Sequence, residues 1–337
     1  MTWLEQKIRA YETMRFEQEP NRRRLPFTWG LEHIGGRADD PNPRGYLERF
    51  AERTLEQSEE WFAATPAQDY SLQDGVLTFT SEVESPWPEN NRVYGQLFRA
   101  RSSGPAVVVL AQWNSRWEEQ QEVCRYLKRL GITAVKLSLP YHDKRAIPGH
   151  PRADHLISSN IGLTLAANRQ AVLDVRRCLR WLEDEGYTRL GILGTSIGSC
   201  LGFLTLCHEP ALRAGAFLHV STYFGDVVAS GLTTSNVWES LQPELSLEDL
   251  RRVWAPISPY PYIPKLSGTG KKVLAISGKY DPTFPFELTA QFFSALGSDG
   301  LAFESLALPC GHYSLGVTPF KQIAGYRFGT FLFKTLA

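Results

Sequence analysis

A serine with glycine two residues to either side, Gly194-Thr195-Ser196-Ile197-Gly198, follows the apolar run Leu190-Gly191-Ile192-Leu193 and precedes a helix-forming stretch. In that setting the spacing serves nucleophilic chemistry. A tight strand-to-helix turn projects the hydroxyl, and the glycines let the backbone pass close to neighbouring chain. The N–H of Ile197, at the helix start, then faces an oxyanion beside Ser196 and is aided by the helix dipole. The five-residue pattern alone also fits a plain βα turn without chemistry. Its position late in a series of alternating strands and helices favours the chemical reading.

Serine is a weak nucleophile near neutral pH and needs a base to take its proton. A histidine base in turn needs a carboxylate to hold its tautomer and stabilise the imidazolium. After a turn of this kind the partners follow in the order acid, then histidine. Downstream of Ser196 the histidines are His208, His219 and His312. His208 ends a helix, and His219 lies inside the apolar run Ala216-Phe217-Leu218-His219-Val220 and reads as a core histidine. His312, in Pro309-Cys310-Gly311-His312-Tyr313, comes directly after the last strand, where α/β sites gather, and is the expected base. Asp281 follows the strand Val273-Leu274-Ala275-Ile276-Ser277 within Gly278-Lys279-Tyr280-Asp281-Pro282, whose proline favours a fixed turn, and is the expected acid. Asp226, after the preceding strand, is the runner-up. A second oxyanion donor is expected in the loop after Val107-Val108-Val109-Leu110, from the N–H of Trp113 or of Asn114, with the choice between them open.

The elements that must carry these groups are read from periodicity. An amphipathic helix spans residues 2–16, with Trp3, Leu4, Ile8 and Tyr11 as its stripe, and a second spans 45–62. Together they form an N-terminal helical arm over 1–69. Alternation at 76–81 and 93–98 around the turn chemistry of 85–91 predicts an antiparallel hairpin. Strands follow at 106–111, 132–139, 190–193, 214–220, 273–277 and 303–308, interleaved with helices at 117–130, 166–182, 197–206, 286–296 and 320–336. Repeated βα units imply a parallel sheet covered by helices on both faces. Residues 221–266 break the rhythm. They contain Ser246-Leu247-Glu248-Asp249, a capping box, and read as a helical cap insertion between two parts of the core, 70–220 and 267–337. Tyr223, Phe224, Trp238 and Phe284 are candidates for an apolar substrate pocket.

Composition narrows the partners. The 337 residues contain 36 Lys plus Arg and 36 Asp plus Glu, so nothing favours nucleic acid or an anionic membrane. Arg22-Arg23-Arg24 reads as a solvated surface segment. The five cysteines lack metal-type spacing, and no apolar run is long enough to span a bilayer. The expectation is a cytoplasmic protein. His142, His150 and His155 lie near Asp143 and Asp154, but the spacing fits no compact metal site, so no metal or cofactor is expected.

The Gly194–Gly198 turn, the Gly278-Lys279-Tyr280-Asp281 loop and Gly311-His312, in that order, resemble the α/β-hydrolase superfamily from about residue 70 to the end. The nearer likeness is to its dienelactone-hydrolase-like and acetyl-xylan-esterase-like bacterial branch. Leu139-Pro140-Tyr141-His142-Asp143 and Asn168-Arg169-Gln170-Ala171 point the same way more weakly. The resemblance implies an eight-stranded, mostly parallel sheet and hydrolysis through an acyl-enzyme. The expected substrate is a small-molecule carboxylic ester, with amide or thioester as lesser options. Many relatives carry His-Gly at the oxyanion loop where this chain has Gln112-Trp113. A carbon–carbon hydrolase, an acyltransferase on the same residues and a non-catalytic ligand-binding protein remain the rivals. Homo-oligomerisation is open.

Overall fold

The computed structural model describes residues 2–19, 21–150 and 152–337. Its strands are β1 Ser71–Gln73, β2 Val76–Thr80, β3 Arg92–Phe98, β4 Gly104–Leu110, β5 Thr133–Leu137, β6 Tyr187–Thr195, β7 Leu212–Leu218, β8 Lys272–Gly278 and β9 Phe303–Leu308. They form one sheet in the order β1-β2-β3-β5-β4-β6-β7-β8-β9. The pairs β1–β2, β2–β3 and β3–β5 are antiparallel, and all others are parallel. The sheet therefore has nine strands where eight were expected. The extra one, β1, is too short to show a period of two. It joins β2 through Asp74 and Gly75, both at positive φ (49° and 75°), as a two-residue hairpin turn requires.

The helices are α1 Trp3–Glu17, α2 Pro43–Glu56, α3 Ser58–Trp61, α4 Gln121–Arg129, α5 Ile161–Asp184, α6 Ile197–His208, α7 Phe224–Ser230, α8 Ser235–Leu241, α9 Leu247–Val253, α10 Phe286–Ser298 and α11 Phe320–Leu336. Side-chain oxygens cap several of them. Thr2 accepts from the Glu5 N–H, Asn42 from Gly45, and Asn160 from Leu163. The capping box is present at α9, where Ser246 and Asp249 bond reciprocally. The helix read over 45–62 is broken at Gln57, and α4 begins at Gln121 rather than near 117. Residues ahead of α4 are wound into turns, with Asn114 and Gln120 at φ 60° and 62°.

Alternation along the central strands divides the core in two. Ala106, Val108 and Leu110 of β4 face one cluster, shared with α2, α5, α6 and α10. Val107 and Val109 face the other, shared with α4 and α11. Helices thus cover both faces, and the parallel part of the sheet is mostly apolar inside, with Thr133, Lys136 and Ser277 as buried polar exceptions. Between β7 and β8 lie α7, α8 and α9, followed by two short 3₁₀ segments, Ala255–Ile257 and Tyr260–Leu266. α2 packs on α9, whereas α1 lies against the turn that follows His312. The loops that matter here leave the C-terminal ends of β4, β6, β7, β8 and β9, at one edge of the sheet.

Candidate active site

Ser196 sits between β6 and α6 with φ 58° and ψ −123°, a strained conformation for a residue with a side chain. Close packing enforces it. A Cβ at Gly194 would lie 2.2 Å from the Gly198 carbonyl oxygen, and one at Gly198 would lie 2.5 Å from that of Leu110. The Ser196 N–H donates to the Leu218 carbonyl at 2.8 Å, which pins the turn to β7. Gly198 also brings the turn against the end of β4, beside the loop that holds Trp113 and Asn114. The Ile197 N–H, first in α6, has no acceptor among the described residues.

Asp281 is buried and uses both oxygens. Oδ1 accepts from the N–H groups of Thr283 (2.7 Å) and Phe284 (2.8 Å), so the turn through Pro282 fixes the carboxylate. Oδ2 accepts from Nδ1 of His312 at 3.0 Å. With Nδ1 as donor, Nε2 is the basic nitrogen of that ring. The Phe284 ring stacks on the imidazole at 5.6 Å and 4°. Burial opposes charge on both partners, but the ion pair outweighs it. The imidazoles of His312 and His219 hold Asp281 well below the usual carboxylate range. Burial lowers the His312 pKa, yet Asp281, with smaller help from Glu12 and Glu19, raises it above the ordinary histidine value. Ser196, His312 and Trp113 line one groove of about 2010 Å³, with Asp281 behind the histidine.

The two oxyanion candidates differ. The Asn114 N–H is occupied: it donates to Nε2 of His142 at 2.8 Å. The Trp113 N–H has no backbone acceptor among the described residues, so of the two it is the one open to a ligand. This corrects the expectation for Asn114, which instead shapes the loop. Its Oδ1 accepts from the Ala153 N–H at 2.8 Å, and the Trp113 indole donates to the Ala153 carbonyl at 2.9 Å. His142 is fully buried, with Nδ1 on the Pro140 carbonyl at 2.8 Å, and burial pushes its pKa down to about 4. It is a neutral latch on the loop.

Other expectations shift. His219 is no isolated core histidine. It leaves β7 at φ 61°, and its Nδ1 lies 2.6 Å from Asp281 Oδ2, out of line for a hydrogen bond. Its ring is 4.4 Å from that of His312, and burial keeps its pKa low despite Asp281. Asp226, the runner-up acid, is bound by Arg251 at 2.5 and 3.0 Å and stands apart. His208 packs between Phe62 and Tyr262. Tyr223, Phe224 and Trp238 do not line the groove, and Phe284 acts on the histidine instead. In the 142–155 stretch the groups pair in other ways: His150 and His155 pack ring against ring at 5.6 Å, Asp143 faces Ser138 and Lys136, and Asp154 faces Arg152. Among the described residues, the metal-type donor set that does converge is His219, Asp281 and His312, with ligand atoms within 4.8 Å of one another. Of these groups, Asp281 Oδ2 and His312 Nδ1 are already bonded to each other.

The prolyl oligopeptidase family model matches residues 163–322, a span that includes Ser196, Asp281 and His312. No curated protein matches the chain by sequence. Among solved structures, an esterase of Pyrococcus furiosus superposes with a TM-score of 0.56 at 16% identity, over 80% of this chain and 92% of the other. Acetyl xylan esterase 1 of a Thermoanaerobacterium species does so with a TM-score of 0.56 at 14% identity, over 85% and 93%. The chain has the α/β-hydrolase fold. A further likeness is to the acylaminoacyl peptidase of Pyrococcus horikoshii, with a TM-score of 0.58 at 16% identity, over 80% of this chain and 42% of that longer one. Among its described residues no helix is long and apolar enough to cross a membrane.

Proposed function

We propose that this α/β hydrolase cleaves a small carboxylic ester through an acyl-enzyme on Ser196. Nε2 of His312 takes the hydroxyl proton as Oγ attacks the carbonyl carbon. Asp281 holds the imidazole in the required tautomer and stabilises its charged form. The N–H groups of Ile197 and Trp113 receive the oxyanion. The protonated imidazole then gives its proton to the departing alkoxide, and the alcohol leaves. Water attacks the acyl-enzyme by the same route, and the acid is released.

The observation that carries this reading is the Asp281–His312 hydrogen bond at the groove that holds the strained Ser196. The test is pre-steady-state hydrolysis of p-nitrophenyl acetate. The parent chain should release a burst of nitrophenolate equal to the enzyme present, followed by slower turnover. Ser196→Ala should show neither. Burst and turnover that survive this substitution would remove the serine from the chemistry. Carbon–carbon hydrolysis and acyl transfer would use the same groups and are separated by their products: a cleaved diketone-type substrate, or an acylated acceptor alcohol in place of free acid.

A further inference from the structure

The turn after β9 carries His312, yet what holds its far side comes from the other end of the chain. Glu12 of α1 is fully buried. Its Oε2 accepts from the Tyr313 N–H at 2.8 Å and its Oε1 from the Ser314 N–H at 2.9 Å. The carboxylate lies so close that a Cβ at Gly311 would meet Glu12 Cδ at 2.5 Å. Residues on both sides of His312 are therefore shaped around one side chain. Tyr313 is gripped further: its hydroxyl lies 3.4 Å from Glu19 and accepts from Arg22 at 3.3 Å, and the Arg15 guanidinium sits 5.6 Å from its ring. Before the histidine, the Cys310 carbonyl accepts from the Tyr280 N–H, in the loop after β8, at 2.9 Å. After it, Glu12 takes the N–H groups of both following residues.

Helix α1 has little else to do. Among its described residues only Ile8 and Glu12 are buried, and Trp3, expected in its apolar stripe, is 71% exposed. A helix that buries one aliphatic side chain and one carboxylate contributes little to the core. We infer that Glu12 is a positioning residue for His312, and that the N-terminal helix belongs to the active site by supplying it. The inference rests on the reading of His312 as the base. A carboxylate accepting two adjacent N–H groups fixes the peptide planes that follow the histidine. The imidazole is then held from two directions, Asp281 at Nδ1 and Glu12 behind its backbone.

Charge supports the same role. The groups facing His312 are Asp281 after β8, His219 after β7, and Glu12 and Glu19 from the N-terminal side. Both glutamates favour the protonated imidazole, so removing Glu12 should lower the pH at which His312 becomes a base.

The test compares the full-length parent with Glu12→Gln, Glu12→Asp and Ser196→Ala in p-nitrophenyl acetate hydrolysis and thermal melts. Glu12→Gln should lose about 10- to 100-fold in kcat, as expected for a displaced catalytic group, while KM changes far less. The acidic limb of its kcat/KM profile should move to lower pH. Glu12→Asp, which keeps the charge, should recover part of both effects. A folded Glu12→Gln with parental kcat and an unmoved acidic limb overturns the inference. Should Glu12→Gln fail to fold, Gly311→Ala reads the same contact by pushing the carboxylate away, and parental kcat in that variant overturns it equally. Activity retained in Ser196→Ala would instead overturn the catalytic reading beneath it.

Discussion

The serine turn and the histidine turn are built on opposite plans. The serine turn is local: β6 leads in, α6 leads out, the first turn of α6 leaves room only for glycine at 194, the end of β4 does the same at 198, and the Ser196 N–H bonds to β7. Its strain is held by the sheet itself. The histidine turn is assembled from remote pieces, with Asp281 some thirty residues away and Glu12 at the opposite end of the chain. A nucleophile that must endure an unfavourable φ is placed where packing is densest. A base that must exchange a proton with two partners is placed on a loop and steadied by polar contacts. The first plan resists small changes until it fails outright. The second yields by degrees.

Gly198→Ala should give the largest effect. Its new Cβ would meet backbone at 2.5 and 2.6 Å, with no flexible side chain to move aside. Overpacking of this kind costs roughly 3 kcal/mol or more, and both the folded yield and the cooperative melt should suffer. A melt unchanged from the parent would show that the serine turn is softer than its packing implies. Next comes Asp281→Asn. The fold should survive, because the Thr283 and Phe284 N–H groups can still bond the amide oxygen, but kcat should fall by about 10⁴ through the wrong imidazole tautomer. A loss below about tenfold would mean the histidine is oriented mainly by its backbone.

The third prediction concerns acid. Burial pushes His142, His155 and His208 down to about 4. Between about pH 6.5 and pH 4 the unfolded chain binds protons that these native histidines refuse, so unfolding free energy should rise with pH across that window. For the fully buried His142 the contribution is on the order of 3 kcal/mol. His312, raised by its acid partner, works in the opposite sense in the folded protein, so the net slope is smaller than the three histidines alone would give. Urea unfolding at pH 7 and pH 5 checks the sign, and equal stability at both would contradict it. The smallest effect is expected from His142→Ala, which frees the Asn114 N–H and loosens the Trp113 loop. A loss of about tenfold in kcat with a nearly constant KM is expected, less than removal of an oxyanion donor outright.

The same contrast explains what could be read before the coordinates. Strand and helix periodicity carried the parallel sheet, the turn around Ser196 and the loops bearing Asp281 and His312, because each chemical group follows directly on a regular element. β1 escaped because three residues cannot display alternation. His219 was misread because the run from Ala216 to Val220 looks like continuous strand, while its φ of 61° turns it out toward Asp281. Asn114 was not separable from Trp113, since the choice depends on His142, a side chain from the next loop. Glu12 was hidden by its polarity. The α1 stripe was traced through Trp3, Leu4, Ile8 and Tyr11, whereas the buried face holds Ile8 and Glu12, one turn apart. A glutamate in line with the best-placed aliphatic of an otherwise weakly apolar helix was the available signal.

The most direct test is to inactivate the full-length protein with a fluorophosphonate, digest it and locate the adduct by mass spectrometry. One adduct per chain, on the peptide carrying Ser196 and slowed strongly in both His312→Ala and Asp281→Asn, is the predicted result. An adduct on a different serine, or full inactivation with Ser196 unmodified, would contradict the account.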